Sequence, residues 1–357
     1  MRRRELCGIR PCRILLAAIT LVLSVACAAA GPVPGAEWAR AASPEVAGWS
    51  SDKLRAAREY SQRLDTAAVV LVAGGQVVDE WGRVSERFNI HSMRKSILTA
   101  LIGMAVDEGK MKLEVTLVDL GIDDNEPSLT EVEKQATVHD LLKARSGVYH
   151  PALYETAGMA AMRPARGSHA PGTFWYYNNW DFNALGTIYE KQAAIGIFEA
   201  FRTRLAGPLQ MQDFRPQDGE YFKGRDSVHP AYPFRMTARD LARFGLLYLR
   251  EGDWGGKQLV PAAWVRESVK PFSEAGFAGG YGYMWWTAVR GRHLPGVALP
   301  EGSYSAQGAG GHYVLVIPAY DVVIVHRVNT DIRGNQVNAR QFGELVRLIL
   351  DARLPAK

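Results

Sequence analysis

Cysteine is nearly absent from the 357-residue chain, and where it occurs is informative. All three cysteines, Cys7, Cys12 and Cys27, fall in the first 30 residues. If the chain is cut after Ala30, the remainder has neither thiol nor disulfide. That excludes a cysteine nucleophile and Cys-ligated zinc, and it suits an oxidising compartment. The eight histidines form no His-Glu-x-x-His or paired-ligand spacing, so no metal is expected. No Gly-x-Ser-x-Gly elbow is present, which argues against an α/β-hydrolase. No glycine loop is spaced to cradle a phosphate, and no cofactor is expected. Net positive charge is also scarce outside the N-terminus, because basic and acidic residues nearly balance there. The net charge is +5, and Arg2, Arg3, Arg4, Arg10 and Arg13 against Glu5 account for +4 of it. A remainder of +1 sets up no field for nucleic acid, so no nucleic-acid partner is expected.

The basic stretch through Arg13 is followed by an uncharged run, Ile14 to Ala30, that closes on Ala28, Ala29 and Ala30. This reads as a cleaved export signal over 1–30, implying a periplasmic or secreted protein. An uncleaved anchor is the alternative, but 17 residues lie at the short limit for a spanning helix. Lipidation at Cys27 is a second route to membrane attachment, although Ser24 is a poor residue three places ahead of it. Arg3-Arg4 leaves a twin-arginine route open. Residues 31–48, rich in Ala, Pro and Gly, read as a linker.

Apolar periodicity predicts a helix over Ser51–Leu64, strands over Ala67–Ala73 and Gln76–Trp81 joined by Gly74-Gly75, and a long apolar helix from Ser92 to Asp107. A mostly helical block follows, with helices over 138–144, 181–193, 196–205 and 237–250. Thr237 and Asp240 are spaced as a capping box. Strands return at 281–287, 303–307, 312–317 and 322–328, and a helix over 336–351 closes the chain. The final strands are joined by turns rather than helices, which argues an antiparallel sheet. The expected fold is therefore α/β of the α+β kind. A sheet lobe (about 49–90 and 255–351) is flanked by terminal helices, a helical lobe (about 91–254) is inserted, and the active site lies between them.

Ser92-Met93-Arg94-Lys95 places a hydroxyl and an amine one helical turn apart, on one face. Serine needs a neighbouring base, and a lysine whose pKa is lowered by burial can act as one. The free N–H groups of a helix start suit a developing oxyanion. Ser50-Ser51-Asp52-Lys53 has the same spacing, but it opens a polar surface helix. Ser92 opens ILTALIGMAV, a run that must be buried nearly all round. The plain alternative is Ser92 as a helix cap and Lys95 as a solvated charge.

Tyr177-Asn178-Asn179 follows about 85 residues later, behind Pro171-Gly172. Ser-x-x-Lys with Tyr-x-Asn in this order resembles the class C branch of the serine β-lactamase/penicillin-binding-protein superfamily. That branch also holds DD-peptidases, esterases and 6-aminohexanoate-dimer-hydrolase-like amide hydrolases. The resemblance covers most of Trp49 to Val328, including HDLLKARSGV, MTARDLARFGLLYL and YGYMWW. It implies a β-lactamase/transpeptidase-like fold and a serine hydrolase with an acyl-enzyme at Ser92. It also implies that Tyr177, with its phenol held below its usual pKa by Lys95, takes the serine proton. Asn179 would orient Lys95 and bind a substrate amide.

The family's Lys-Thr-Gly or His-x-Gly strand is matched only by Ala306-Gln307-Gly308, ahead of Ala309. By resemblance the Ala309 N–H would join that of Ser92 in an oxyanion hole. The cation is missing, however, and losing one charge-assisted partner for a β-lactam carboxylate costs about 1.5–3 kcal/mol. His312 is the candidate replacement, and His91 beside the nucleophile is a second ambiguous histidine. Trp175, Tyr176, Trp180, Tyr283, Trp285 and Trp286 are candidates to line the cleft. The expected function is hydrolysis of a small neutral ester or amide. A β-lactamase or D-amino-acid peptidase, and a non-catalytic cell-wall binder, are the alternatives.

Overall fold

A computed structural model describes residues 31–355. The expected export signal and Cys27 lie outside those residues. The sheet has eight strands: β1 (Thr66–Ala73), β2 (Gln76–Gly82), β3 (Ser273–Glu274), β4 (Gly280–Tyr281), β5 (Trp286–Thr287), β6 (Tyr304–Gly308), β7 (His312–Ile317) and β8 (Val322–Val328). Their order is β2-β1-β8-β7-β6-β5-β4-β3, with every pairing antiparallel. The two ends of the chain thus meet at the centre, where Val70 faces Val325 and Val325 faces Val314.

The central strands are apolar on both faces because both faces are covered. Val69 and Leu71 pack with Leu54 and Ala57 of α1 (Ser51–Ser61) and with Phe342, Leu345, Val346 and Ile349 of the C-terminal helix (Ala339–Asp351). Val70 and Val72 belong to the opposite core, which holds Ile97 and Leu101 of α2 (Met93–Asp107). A further helix, Ala238–Leu249, also lies on this face. Its Gly245 sits so close to the sheet that a Cβ would come within 2.6 Å of Val323 and 2.8 Å of Val314. An alternating pattern is therefore not available to β1, and its continuous run Ala67 to Val72 is the consequence.

Helix α2 is buried nearly all round, and two of its hydroxyls anchor it. Ser96 Oγ donates to the Met284 carbonyl (2.7 Å) and Thr99 Oγ1 to the Tyr283 carbonyl (2.9 Å). These bonds break the single strand expected over 281–287. Residues 282–285 form a tight turn between β4 and β5, with Met284 left-handed at φ 57°.

Other expectations are also corrected. The helix over 196–205 is a short α-helix, Ile197–Phe201, continued by a π turn, Arg202–Ala206. Only half of the capping box forms: Thr237 accepts from the Asp240 N–H, but the Asp240 carboxylate accepts from Gln212 and Asp213 instead. Residues 31–48 are bound rather than loose. Arg243 donates to the Gly35 and Ala36 carbonyls, and Val77 N–H donates to the Ala39 carbonyl. Among the described residues no helix is long and apolar enough to cross a membrane, and no three His, Cys, Asp or Glu side chains are grouped to hold a metal ion.

Candidate active site

Ser92 occupies the N-cap position of α2, but its side chain makes no capping bond. Its hydroxyl is engaged instead by Lys95, whose Nζ lies 2.9 Å from Ser92 Oγ and 2.6 Å from Tyr177 Oη. The plain capping reading therefore fails here. It holds at the decoy, where Ser50 caps α1 by accepting from the Lys53 N–H and Lys53 Nζ donates to the Asp351 carbonyl.

The turn into Ser92 is strained. His91 is left-handed, at φ 48°, although it carries a Cβ. It is held by its N–H, which donates to Asn89 Oδ1 (2.8 Å), and by Nε2 paired with Thr330 Oγ1 (2.8 Å).

Lys95 is 1% exposed and sits over the rings of Tyr177 (4.4 Å) and Phe182 (4.7 Å). Burial pushes its pKa well below the usual amine range, and the Arg94 charge adds to the effect. Burial pushes the Tyr177 phenol up to about 12, against a hydrogen bond with Ser92 and the Arg94 charge. This corrects the expectation of a lowered phenol: removing the pair from water penalises both ionised forms. Burial therefore disfavours the charged form of both partners, the ammonium of Lys95 and the phenolate of Tyr177. Trp286 stacks on Tyr177 at 5.4 Å and 27° and fixes the ring.

Asn179 opens the helix α3 (Asn179–Ala193). Its Nδ2 donates to the Tyr154 carbonyl (2.7 Å), while its buried Oδ1 has no partner. No hydrogen bond joins it to Lys95 among the described residues, so its expected orienting role has no contact behind it. Asn179 borders a cavity of about 860 Å³ that is also lined by Ser92, Tyr177, Trp286, Gln307, Gly308 and Ala309.

Gly308 brings β6 against the turn that carries Ser92. A Cβ there would lie 2.5 Å from the Ile90 carbonyl oxygen and 3.4 Å from His91 Cβ. Ala306 does not line the cavity. It pairs with Val314 and packs into the core. Gln307 reaches the cavity wall, and its Nε2 donates to Ser305 Oγ (3.0 Å).

His312 is corrected as the replacement cation. It is fully buried off the cavity wall, and its Nδ1 accepts from Arg327 Nε (3.0 Å). Burial, then the Arg327 charge, holds its pKa well down. His91 does line the cavity, but burial and the same arginine push it down to about 4, so it is neutral at ordinary pH.

Of the six candidate aromatics, only Trp286 lines the cavity; Trp180 and Trp285 are core. The remaining wall comes from residues that no motif marks: Ala152, Tyr154, Glu155, Thr156, Met159, Phe222 and Asp226. Tyr154 is left-handed (φ 63°) and fixed by Asn179 and Asn89. A conformation of that kind has no signature in a residue string.

Residues 51–345 match the family model described as Beta-lactamase. The chain belongs to the β-lactamase family. An uncharacterised protein of Alkalihalophilus pseudofirmus is 21% identical over 317 residues, covering 78% of this chain and 90% of the relative. A Bacillus anthracis protein provisionally described as a 6-aminohexanoate-dimer hydrolase superposes with a TM-score of 0.61 at 21% identity, over 84% of this chain and 83% of that one. A class C β-lactamase superposes with a TM-score of 0.63 at 17% identity, over 86% and 97%. The family is one of β-lactamase-like hydrolases, and the β-lactamase/transpeptidase-like fold is shared throughout.

Proposed function

We propose that this protein is a serine hydrolase that cleaves a small ester or amide through an acyl-enzyme on Ser92. The observation that carries the reading is the chain Ser92 Oγ–Lys95 Nζ–Tyr177 Oη, with steps of 2.9 and 2.6 Å. Ser92 attacks the substrate carbonyl as its proton passes to the neutral Lys95 amine. The N–H groups of Ser92 and Ala309 receive the oxyanion. Tyr177, in contact with Lys95, relays the proton to the leaving group. Water then repeats the sequence on the acyl-enzyme with the roles reversed. Asn179 Oδ1, an acceptor with no donor, is suited to a substrate N–H.

The cavity wall favours a neutral substrate. It carries no lysine or arginine, its histidine is neutral, and Glu155 and Asp226 stand on it. A carboxylate such as that of a penicillin would enter without a cationic partner, at a cost of about 1.5–3 kcal/mol. Esterase or amidase activity therefore ranks above β-lactam or D-amino-acid-peptide hydrolysis.

The test is labelling by a fluorophosphonate, with Ser92→Ala as control. p-Nitrophenyl esters, a D-alanyl amide and a chromogenic cephalosporin are then screened for turnover. Labelling that persists in Ser92→Ala overturns the site. Labelling of the wild type without turnover on any substrate favours a non-catalytic binder.

A further inference from the structure

His91 stands on the cavity wall immediately before Ser92, and a chain of side chains leads from its ring into the core. Its Nε2 lies 2.8 Å from Thr330 Oγ1, just beyond the end of β8. Thr330 Oγ1 lies 3.5 Å from His312 Nε2 on β7. His312 Nδ1 in turn receives the Nε–H of Arg327 on β8 (3.0 Å). Arg327 is buried, and its remaining nitrogens donate to the Met236, Phe88 and Asn89 carbonyls. The guanidinium is therefore a fixed end point, and the other end of the chain reaches the cavity.

The direction of each bond follows from that fixed end. A guanidinium only donates, so His312 Nδ1 accepts and carries no proton. The ring proton of His312 then sits on Nε2, which donates to Thr330 Oγ1. The threonine hydroxyl has one proton of its own to give, and among the described residues His91 Nε2 is the acceptor it reaches. His91 Nε2 accepts, so its ring proton sits on Nδ1. That nitrogen has no protein partner among the described residues, and His91 is only partly buried.

We propose that His91 is a specificity-determining residue that offers its Nδ1–H to an uncharged oxygen of the substrate, a carbonyl beyond the scissile one. Thr330, His312 and Arg327 are positioning residues that keep the proton on that nitrogen. The substrate part of the inference rests on the serine-hydrolase reading above; the position of the ring proton does not. The site thus has a neutral donor on a wall that carries no lysine or arginine. Such a donor pairs with a carbonyl without requiring either group to give up a charge's hydration, whereas a carboxylate entering here would lose that hydration for an uncharged partner.

Two measurements test this. The first is the two-bond proton–nitrogen correlation spectrum of protein labelled with nitrogen-15 histidine, at neutral pH. His91→Gly, which accepts the left-handed backbone, assigns the His91 ring signals by their loss. The wild type is expected to show His91 protonated on Nδ1 alone. Thr330→Val keeps the shape and removes the hydroxyl, and it is expected to lose that single-tautomer pattern. A wild-type ring protonated on Nε2, or a pattern unchanged in Thr330→Val, overturns the positioning chain.

The second is kcat/KM for two matched pairs of esters. On the acyl side, p-nitrophenyl N-acetylglycinate is compared with p-nitrophenyl isocaproate; on the leaving side, the glycolamide ester of butyrate is compared with its isobutyl ester. One member of each pair carries an extra carbonyl and the other a hydrocarbon of similar shape. Within a pair the ratio of rates cancels any general loss of activity. In one of the pairs the preference for the carbonyl is expected to fall by about two- to tenfold in His91→Gly, the worth of one neutral hydrogen bond. Should that variant not fold, Thr330→Val carries the same comparison. Ratios that stay at the wild-type value in both pairs overturn the proposal. Failure of the wild type to label at Ser92, with the Nδ1–H form of His91 observed, would instead overturn the hydrolase reading and the substrate contact with it, leaving the positioning chain in place.

Discussion

Gly308→Ala tests whether β6 is set against the nucleophile. The glycine is not left-handed, so the backbone accepts alanine, and only space is at issue. The new Cβ would lie 2.5 Å from the Ile90 carbonyl oxygen and 3.1 Å from His312 Cβ, where ordinary contact begins at 3.4 Å. Relief requires the strand to retreat by about 0.9 Å, because the obstacle is main chain and cannot rotate away. An oxyanion donor at about 2.9 Å would then stand near 3.8 Å, outside hydrogen-bonding range. Loss of one such donor costs about 2.7–4 kcal/mol, or roughly 10²–10³ in kcat. Crowding costs about 1–3 kcal/mol of stability, partly offset by the reduced backbone freedom of alanine. The assay is kcat on a p-nitrophenyl ester alongside a thermal melt. A folded variant with kcat within about threefold of wild type would refute the reasoning, because the strand would then supply no donor whose distance matters.

Three further expectations follow from the same geometry. Tyr177→Phe keeps the ring under Trp286 and removes only the hydroxyl beside Lys95; kcat should fall by about 10²–10⁴ with little change in melting temperature. Lys95→Met should abolish fluorophosphonate labelling and raise the melting temperature at neutral pH. Burial lowers the amine pKa in the folded protein, so the unfolded chain binds an extra proton between the folded and the ordinary amine pKa. Wild-type stability from this group therefore rises with pH, and melts taken at increasing pH should show the gap to Lys95→Met closing. Arg327→Met strips donors from the Phe88, Asn89 and Met236 carbonyls and should cost about 3–5 kcal/mol in a denaturant titration.

The elements that formed as read were those whose signal is local. The run Ala67 to Ala73 with its Gly-Gly turn, and the apolar helix behind Ser92, are set by periodicity and turn chemistry, and both lie within a residue or two of their expected bounds. Failures came where a distant partner decided the outcome. The strand expected over 281–287 was interrupted by Ser96 and Thr99, nearly 190 residues away in sequence. Asp240 left its cap for two N–H groups in another segment. At the candidate site, helical spacing was enough to suggest Ser92 and Lys95 as neighbours, and the family resemblance added Tyr177. Neither could reveal that burial would raise the phenol, that Asn179 would turn to the Tyr154 carbonyl, or that Ala306 would face the core. Those depend on which side of a wall a side chain takes, and a one-residue change of register reverses that.

The two hydroxyls by which α2 holds the 282–285 turn have a mechanical consequence. The helix that carries the serine and the amine is coupled to the segment that delivers Trp286 over the phenol. Sliding or tilting of α2 would carry the indole along, so the distance between Ser92 Oγ and the aromatic wall is preserved. Changes at the far end of the helix, near Trp264, would shift the whole chamber before they altered its dimensions.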